Sequence, residues 1–124
     1  MTKPLALVFY ENLLLGTQLV SRLHDIGYRV LTVVDAASLE TQSEKEKPLV
    51  VIVNWGSRQV EVCASLKALR QKPVTAHIPV LAVAKSNDLD ACSRVRECGV
   101  TLVAGDEALL AQLPELLEQV LQMD

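Results

Sequence analysis

The chain has 124 residues, half of them hydrophobic, with a formal net charge of −3. That length suits one domain with a single sizeable core, here expected over 1–124, and the charge offers no basic field for nucleic acid. The longest apolar runs fall far short of the ~20 residues that cross a bilayer, and Met1-Thr2-Lys3-Pro4 opens no signal-peptide pattern, so the expected address is the cytoplasm. Phe9, Tyr10, Tyr28 and Trp55 are the only aromatic residues, which makes the expected core aliphatic.

In chain order, apolar runs stand at residues 5–9, 29–34, 49–53, 79–84 and 101–103. Their Val, Ile and Leu content without polar alternation predicts strands covered on both faces, as in a parallel sheet. Between the first two, Leu15, Leu19, Leu23 and Ile26 mark one face of a helix that Gly27 closes as C-cap. The next interval, 36–47, has Leu39 as its only large apolar residue and predicts a short, marginal helix followed by a solvated turn before Pro48. Val62, Leu66 and Leu69 mark a third helix, its stripe widened by Val60 and Cys63. Leu89, Cys92 and Val95 mark a fourth, opened by the cap candidates Ser86, Asn87 and Asp88 and ended at Gly99. Pro114 fits the first turn of a terminal helix over 114–122, which leaves 106–113 as a separate helical turn.

Strict alternation of strand and helix predicts a doubly wound α/β sheet with helices on both faces, because right-handed crossovers place them there. Ligands of such sheets gather at the carboxyl ends of the strands. Those ends carry Tyr10-Glu11-Asn12, Val34-Asp35, Asn54-Trp55-Gly56, Ala84-Lys85-Ser86 and Ala104-Gly105-Asp106. Cys63, Cys92 and Cys98 are odd in number and lack Cys-x-x-Cys spacing, and His24 and His77 stand far from them. Neither a disulfide framework nor a zinc site is indicated; the cysteines read as small buried hydrophobes, with redox sensing as the alternative.

Gly27-Tyr28 before the second strand, Lys47-Pro48 before the third, His77-Ile78-Pro79-Val80 at the fourth and Glu97-Cys98-Gly99-Val100 before the fifth give the chain its family likeness. It resembles, over essentially its whole length, the receiver domain of bacterial two-component response regulators. The resemblance implies a flavodoxin-like, five-stranded parallel sheet of order 2-1-3-4-5. It also implies five chemical positions: an acidic pair for magnesium, a phosphoacceptor aspartate, a Thr or Ser, and a lysine. The acidic pair falls on Tyr10 and Glu11, the acceptor on Asn54, the hydroxyl on Ala84, and the lysine on Gly105 or Asp106. A carboxylate oxygen can attack phosphorus, whereas an amide is neutral and poorly nucleophilic. Arg58-Gln59 also stands where receivers commonly carry Pro-Gly. The expected identity is therefore a degenerate receiver, or pseudo-receiver, with no cofactor and no catalytic residue.

Glu11 keeps one carboxylate for a weakly held cation, and Lys85 could neutralise Glu11 or Asp106 in place of that ion. Asn54 is expected to hydrogen-bond to neighbouring loops, and Trp55 to lie at the pocket rim, where tryptophan serves binding. Leu110, Leu117 and Leu121 form a second stripe on the terminal segment and are expected to offer a surface for a homodimer or another signalling protein. Met1 favours a stand-alone adaptor over an excised domain. The function expected is a non-phosphorylatable signalling module working through protein contact. A small-ligand or flavin-binding module is the alternative; it would need a Ser-, Thr- or Gly-rich phosphate loop where Tyr10-Glu11-Asn12-Leu13 stands. Hydrolase and transferase motifs such as Gly-x-Ser-x-Gly or a P-loop are absent.

Overall fold

Aliphatic strands with no polar face must be covered on both sides, and the computed structural model, which describes residues 4–10, 13–33, 38–54, 59–83 and 97–122, shows how. In chain order the elements are β1 (Leu5–Phe9), α1 (Leu13–Asp25), β2 (Arg29–Val33), α2 (Ser38–Glu46), β3 (Val50–Asn54) and α3 (Gln59–Gln71). They continue with β4 (Val80–Val83), β5 (Leu102–Ala104), α4 (Asp106–Ala111) and α5 (Leu113–Gln122). The strands form one parallel sheet in the order β2-β1-β3-β4-β5. Phe9 pairs with Val33 and Val53, Asn54 with Val83, and Val83 with Ala104, so the carboxyl ends of all five strands reach one edge together. The expected helix after β4 falls on residues outside the described ones, apart from its last turn at Glu97.

Successive side chains along a strand alternate between faces. Leu7, Phe9, Val51, Val53, Val80 and Ala82 meet Leu39 of α2 and Val62, Leu66 and Leu69 of α3. On the other face, Val8, Ile52 and Leu81 meet Leu19 and Leu23 of α1 and Leu109, Leu113 and Val120 of α4 and α5. Full burial of each such side chain contributes about 1.5–3 kcal/mol. The edge strands depart from the expectation of two covered faces: β2 is mostly half-exposed or exposed, and β5 is half-buried until Ala104. Ile26 and Leu49, counted as core in sequence, are 38% and 43% exposed, since each lies just outside its element.

α1 closes in a Schellman motif. Gly27 adopts φ 91°, its N–H donates to His24 O, and the Tyr28 N–H donates to Leu23 O. α2 runs to Glu46 instead of dissolving into a turn. Leu39 and Ser43, one turn apart, are buried, and Lys72 from beyond α3 reaches Glu40 at 2.5 Å and Glu44 at 2.8 Å. The hydrogen bonds that the Lys72 ammonium donates to Glu40 and then to Glu44 hold it above its ordinary pKa. The pairs are solvent-exposed and orient α2 against α3 more than they stabilise the chain.

The terminal segment breaks at Pro114 as expected, but its second stripe is not a free surface. Leu117 is only 2% exposed and belongs to the core, while Leu110 and Leu121 pack half-buried against it. α5 is short and lies in the groove beside α4 and the sheet, so its apolar arc is consumed by several neighbours instead of one. The cysteines also differ from expectation. Cys63 of α3 and Cys98 are joined in a disulfide, with Cα atoms 5.1 Å apart and a sequence separation of 35. Cys98 is buried in the same core cluster against which Cys63 packs. In the chain-entropy account, closing a loop of that length stabilises the fold by about 4 kcal/mol.

Two turns along α3 from Cys63, Arg70 ties the same junction without a covalent bond. Its Nε donates to Gly99 O at 2.9 Å, Nη1 to Ala76 O at 2.7 Å and Ile78 O at 2.8 Å, and Nη2 to Thr101 Oγ1 at 3.0 Å. Thr101 Oγ1 accepts a further bond from the Val80 N–H, which carries the clamp into β4. Gly99 is required here: it has φ +95°, and a Cβ would lie 2.9 Å from Arg70 Cγ.

Arg70→Met should lower unfolding free energy by about 3 kcal/mol or more in denaturant titration, because several part-buried acceptors lose a charged donor. Arg70→Lys should recover less than half of that, since an ammonium cannot reproduce the planar fork. Ser43→Ala should have the opposite sign. Its Oγ is buried with no hydrogen-bond partner among the described residues, so removing it should stabilise the protein by about 1 kcal/mol in the same titration.

Candidate functional site

Because the core strands are dry along their length, polar groups enter the structure where the strands end. One step beyond the Phe9–Val53 pair lie Tyr10, directly after β1, and Asn54, the last residue of β3, at the carboxyl edge. Asn54 pairs with Val83, and Val83 with Ala104, so Gly105 follows in the same row of strand ends. The structure thereby brings Tyr10, Asn54 and Gly105 to one edge, with Asp106 opening α4 directly behind. Glu11, Trp55, Ala84 and Lys85 lie outside the described residues.

Asn54 is half-buried and engaged in interactions with its surroundings. Gly105 is the N-cap of α4, in extended conformation and without a side-chain cap; its carbonyl accepts the Leu109 N–H at 2.8 Å. Whichever of Gly105 and Asp106 is matched to the lysine position, no cation stands there.

Tyr10 is the residue whose role the sequence did not reveal. It is half-buried and packs against the core face formed with α1, sharing the parity of Ala6 and Val8. Its ring lies directly on Gly16 of α1: a Cβ on that glycine would come within 2.1 Å of the ring. Glycine inside a helix costs about 1 kcal/mol relative to alanine, and here the cost admits an aromatic ring against the helix backbone. A helix-interior glycine six residues after an aromatic strand end was the available signal. Tyr10 therefore acts as packing between the end of β1 and α1.

Magnesium favours charged oxygen ligands in near-octahedral geometry. Among the described side chains, this edge offers the Asn54 amide and the Tyr10 ring packed on α1, with backbone carbonyls beside them; the carboxylates of Glu11 and Asp106 lie outside the described side chains. No group of three or more His, Cys, Asp or Glu side chains among the described residues could hold a metal. None of the described helices is long and apolar enough to cross a membrane.

No protein-family model matches the chain, and no curated protein matches it either. Solved structures do. A protein of Chloroflexus aurantiacus J-10-fl assigned as a response regulator superposes with a TM-score of 0.88 at 19% identity, over 98% of this chain and 99% of that one. The receiver domain of the sensor histidine kinase PA1611 of Pseudomonas aeruginosa PAO1, with magnesium coordinated in its active-site cleft, gives 0.86 at 15% identity, over 98% and 99%. The Vibrio cholerae chemotaxis protein CheY4 gives 0.82 at 18%, over 96% and 99%. At these identities the likeness is one of fold: the chain has the receiver fold of two-component signalling proteins.

Gly16→Ala tests the packing of Tyr10. On helix propensity alone it would stabilise by about 1 kcal/mol. In this protein it should destabilise by about 1–3 kcal/mol, because the ring must move. In a Tyr10→Ala background the same substitution should revert to stabilising, and thermal or denaturant unfolding of the four proteins gives the coupling directly.

Proposed function

We propose that the chain is a receiver-like signalling module that is not phosphorylated and acts in the cytoplasm through contact with another signalling protein. The observation that carries this reading is Asn54 at the carboxyl end of β3, where the resemblance requires the phosphoacceptor aspartate. Its amide cannot form an acyl phosphate. Phosphoryl transfer also depends on positioned cations that offset charge on the phosphoryl oxygens. Gly105 supplies none, Ala84 supplies no hydroxyl, and Glu11 alone would hold magnesium only weakly. The module is thus a binding protein and not an enzyme, and Trp55 and Lys85 beside the altered pocket are the side chains proposed to meet the partner.

Incubation with acetyl phosphate and magnesium, read by intact mass, should give no phosphoryl adduct on the native chain. Asn54→Asp should remain essentially unlabelled as well, since the restored nucleophile still lacks the hydroxyl and the lysine. A substantial adduct on the native chain would overturn the proposed function. One confined to Asn54→Asp would show that the nucleophile alone separates this pocket from an active one.

A further inference from the structure

Cys63 and Cys98 belong to no part of the altered pocket, yet they join two elements that a second device already joins. Arg70, seven residues after Cys63 and so on the same side of α3, holds Gly99 and Thr101, which stand one and three residues after Cys98. The covalent bond and the guanidinium clamp thus divide one junction between them. The disulfide fixes the turn at Glu97 and Cys98 to the first half of α3, and Arg70 fixes the start of β5 to the second half. The core strands β1, β3 and β4 are buried by aliphatic side chains on both faces, and what further ties β4 to this junction comes through Arg70 and Thr101. Loss of the bond alone therefore leaves the sheet and the Arg70 clamp in place and releases only the turn. The two sulfurs also differ in access: Cys98 is 4% exposed, whereas Cys63 is half-buried.

From this division we propose that Cys63 and Cys98 form a reversible thiol–disulfide latch, which locks the turn before β5 onto α3 when oxidised and frees it when reduced. Reduction by a dithiol begins with a thiolate attacking Cys63 Sγ, the more accessible sulfur, with Cys98 leaving as thiolate. The second thiol of the reductant attacks the mixed disulfide and expels Cys63. The reductant departs as a cyclic disulfide, and two electrons and two protons reside on the protein as two thiols. Oxidation by a small disulfide of the glutathione type runs in reverse and yields two small thiols. Disulfides that persist are rare in reducing compartments, where those that form are mostly transient or sensing. In the cytoplasm of the proposed function the latch would rest open and close on oxidation; the exchange itself does not depend on that reading.

The test uses the full chain carrying Cys92→Ser, so that only the paired cysteines remain. After oxidised glutathione, alkylation under denaturing conditions should find no thiol by intact mass; after dithiothreitol it should find two, and renewed oxidation should return the count to none. Circular dichroism should be the same in both states. Hydrogen exchange should accelerate at least tenfold at Glu97, Cys98 and the first half of α3 on reduction, with residues 101–104 and β1 and β3 unchanged. The double variant Cys63→Ser, Cys98→Ser should exchange like the reduced protein. Two free thiols after glutathione oxidation, unchanged exchange, or loss of the native spectrum on reduction would each overturn the proposal, the last because the bond would then be a staple of the fold. None of these readouts involves phosphorylation, so failure here is separate from failure of the proposed function.

Discussion

The controlling constraint is the dryness of the central strands. Residues 6–9, 50–53 and 80–83 are each at most 1% exposed, so β1, β3 and β4 have no face on which a polar side chain could be hydrated. A polar group placed there would lose several kcal/mol of solvation unless fully hydrogen-bonded. The backbone satisfies itself through the parallel ladders, and any chemistry is displaced to the strand ends. Such a scaffold tolerates almost any residue at its carboxyl edge without loss of fold. That explains how an arrangement shared with receivers at TM-scores above 0.8 can coexist with an amide at the end of β3.

The same constraint made the fold legible. Uninterrupted aliphatic runs of four or five residues have few ways to be buried twice over, and alternation with helical stripes leaves the doubly wound sheet. Leu19 and Leu23, or Val62, Leu66 and Leu69, announce their helices because each stripe faces a single apolar surface. α2 was harder to read. Beyond Leu39 its burial rests on Ser43, and its orientation rests on Lys72, which is distant in sequence and whose pairing no local pattern encodes. Leu117 misled for the opposite reason: a wide apolar arc looks like surplus surface until the neighbours that occupy it are known.

The site divides in the same way. Asn54 could be assigned from sequence because strand ends locate themselves. The direction taken by Tyr10 could not, because it depends on the absence of a side chain at Gly16, on another element. The disulfide was hidden by its span of 35 residues, which says nothing about proximity until α3 and β5 are docked. Arg70 likewise gathers acceptors from the α3–β4 connection and from the approach to β5, two segments that meet only in the folded sheet.

The seating of Tyr10 on Gly16 also has a historical consequence. A chain with a bulkier residue at position 16 could not have accepted the ring at position 10, so the vacancy on the helix had to precede the aromatic or arrive with it. With both in place, the order of change matters: exchanging the tyrosine for a smaller side chain leaves a hole over the helix, and filling that hole first collides with the ring. The two positions are thereby coupled across two elements, and the effect of a change at either depends on what stands at the other.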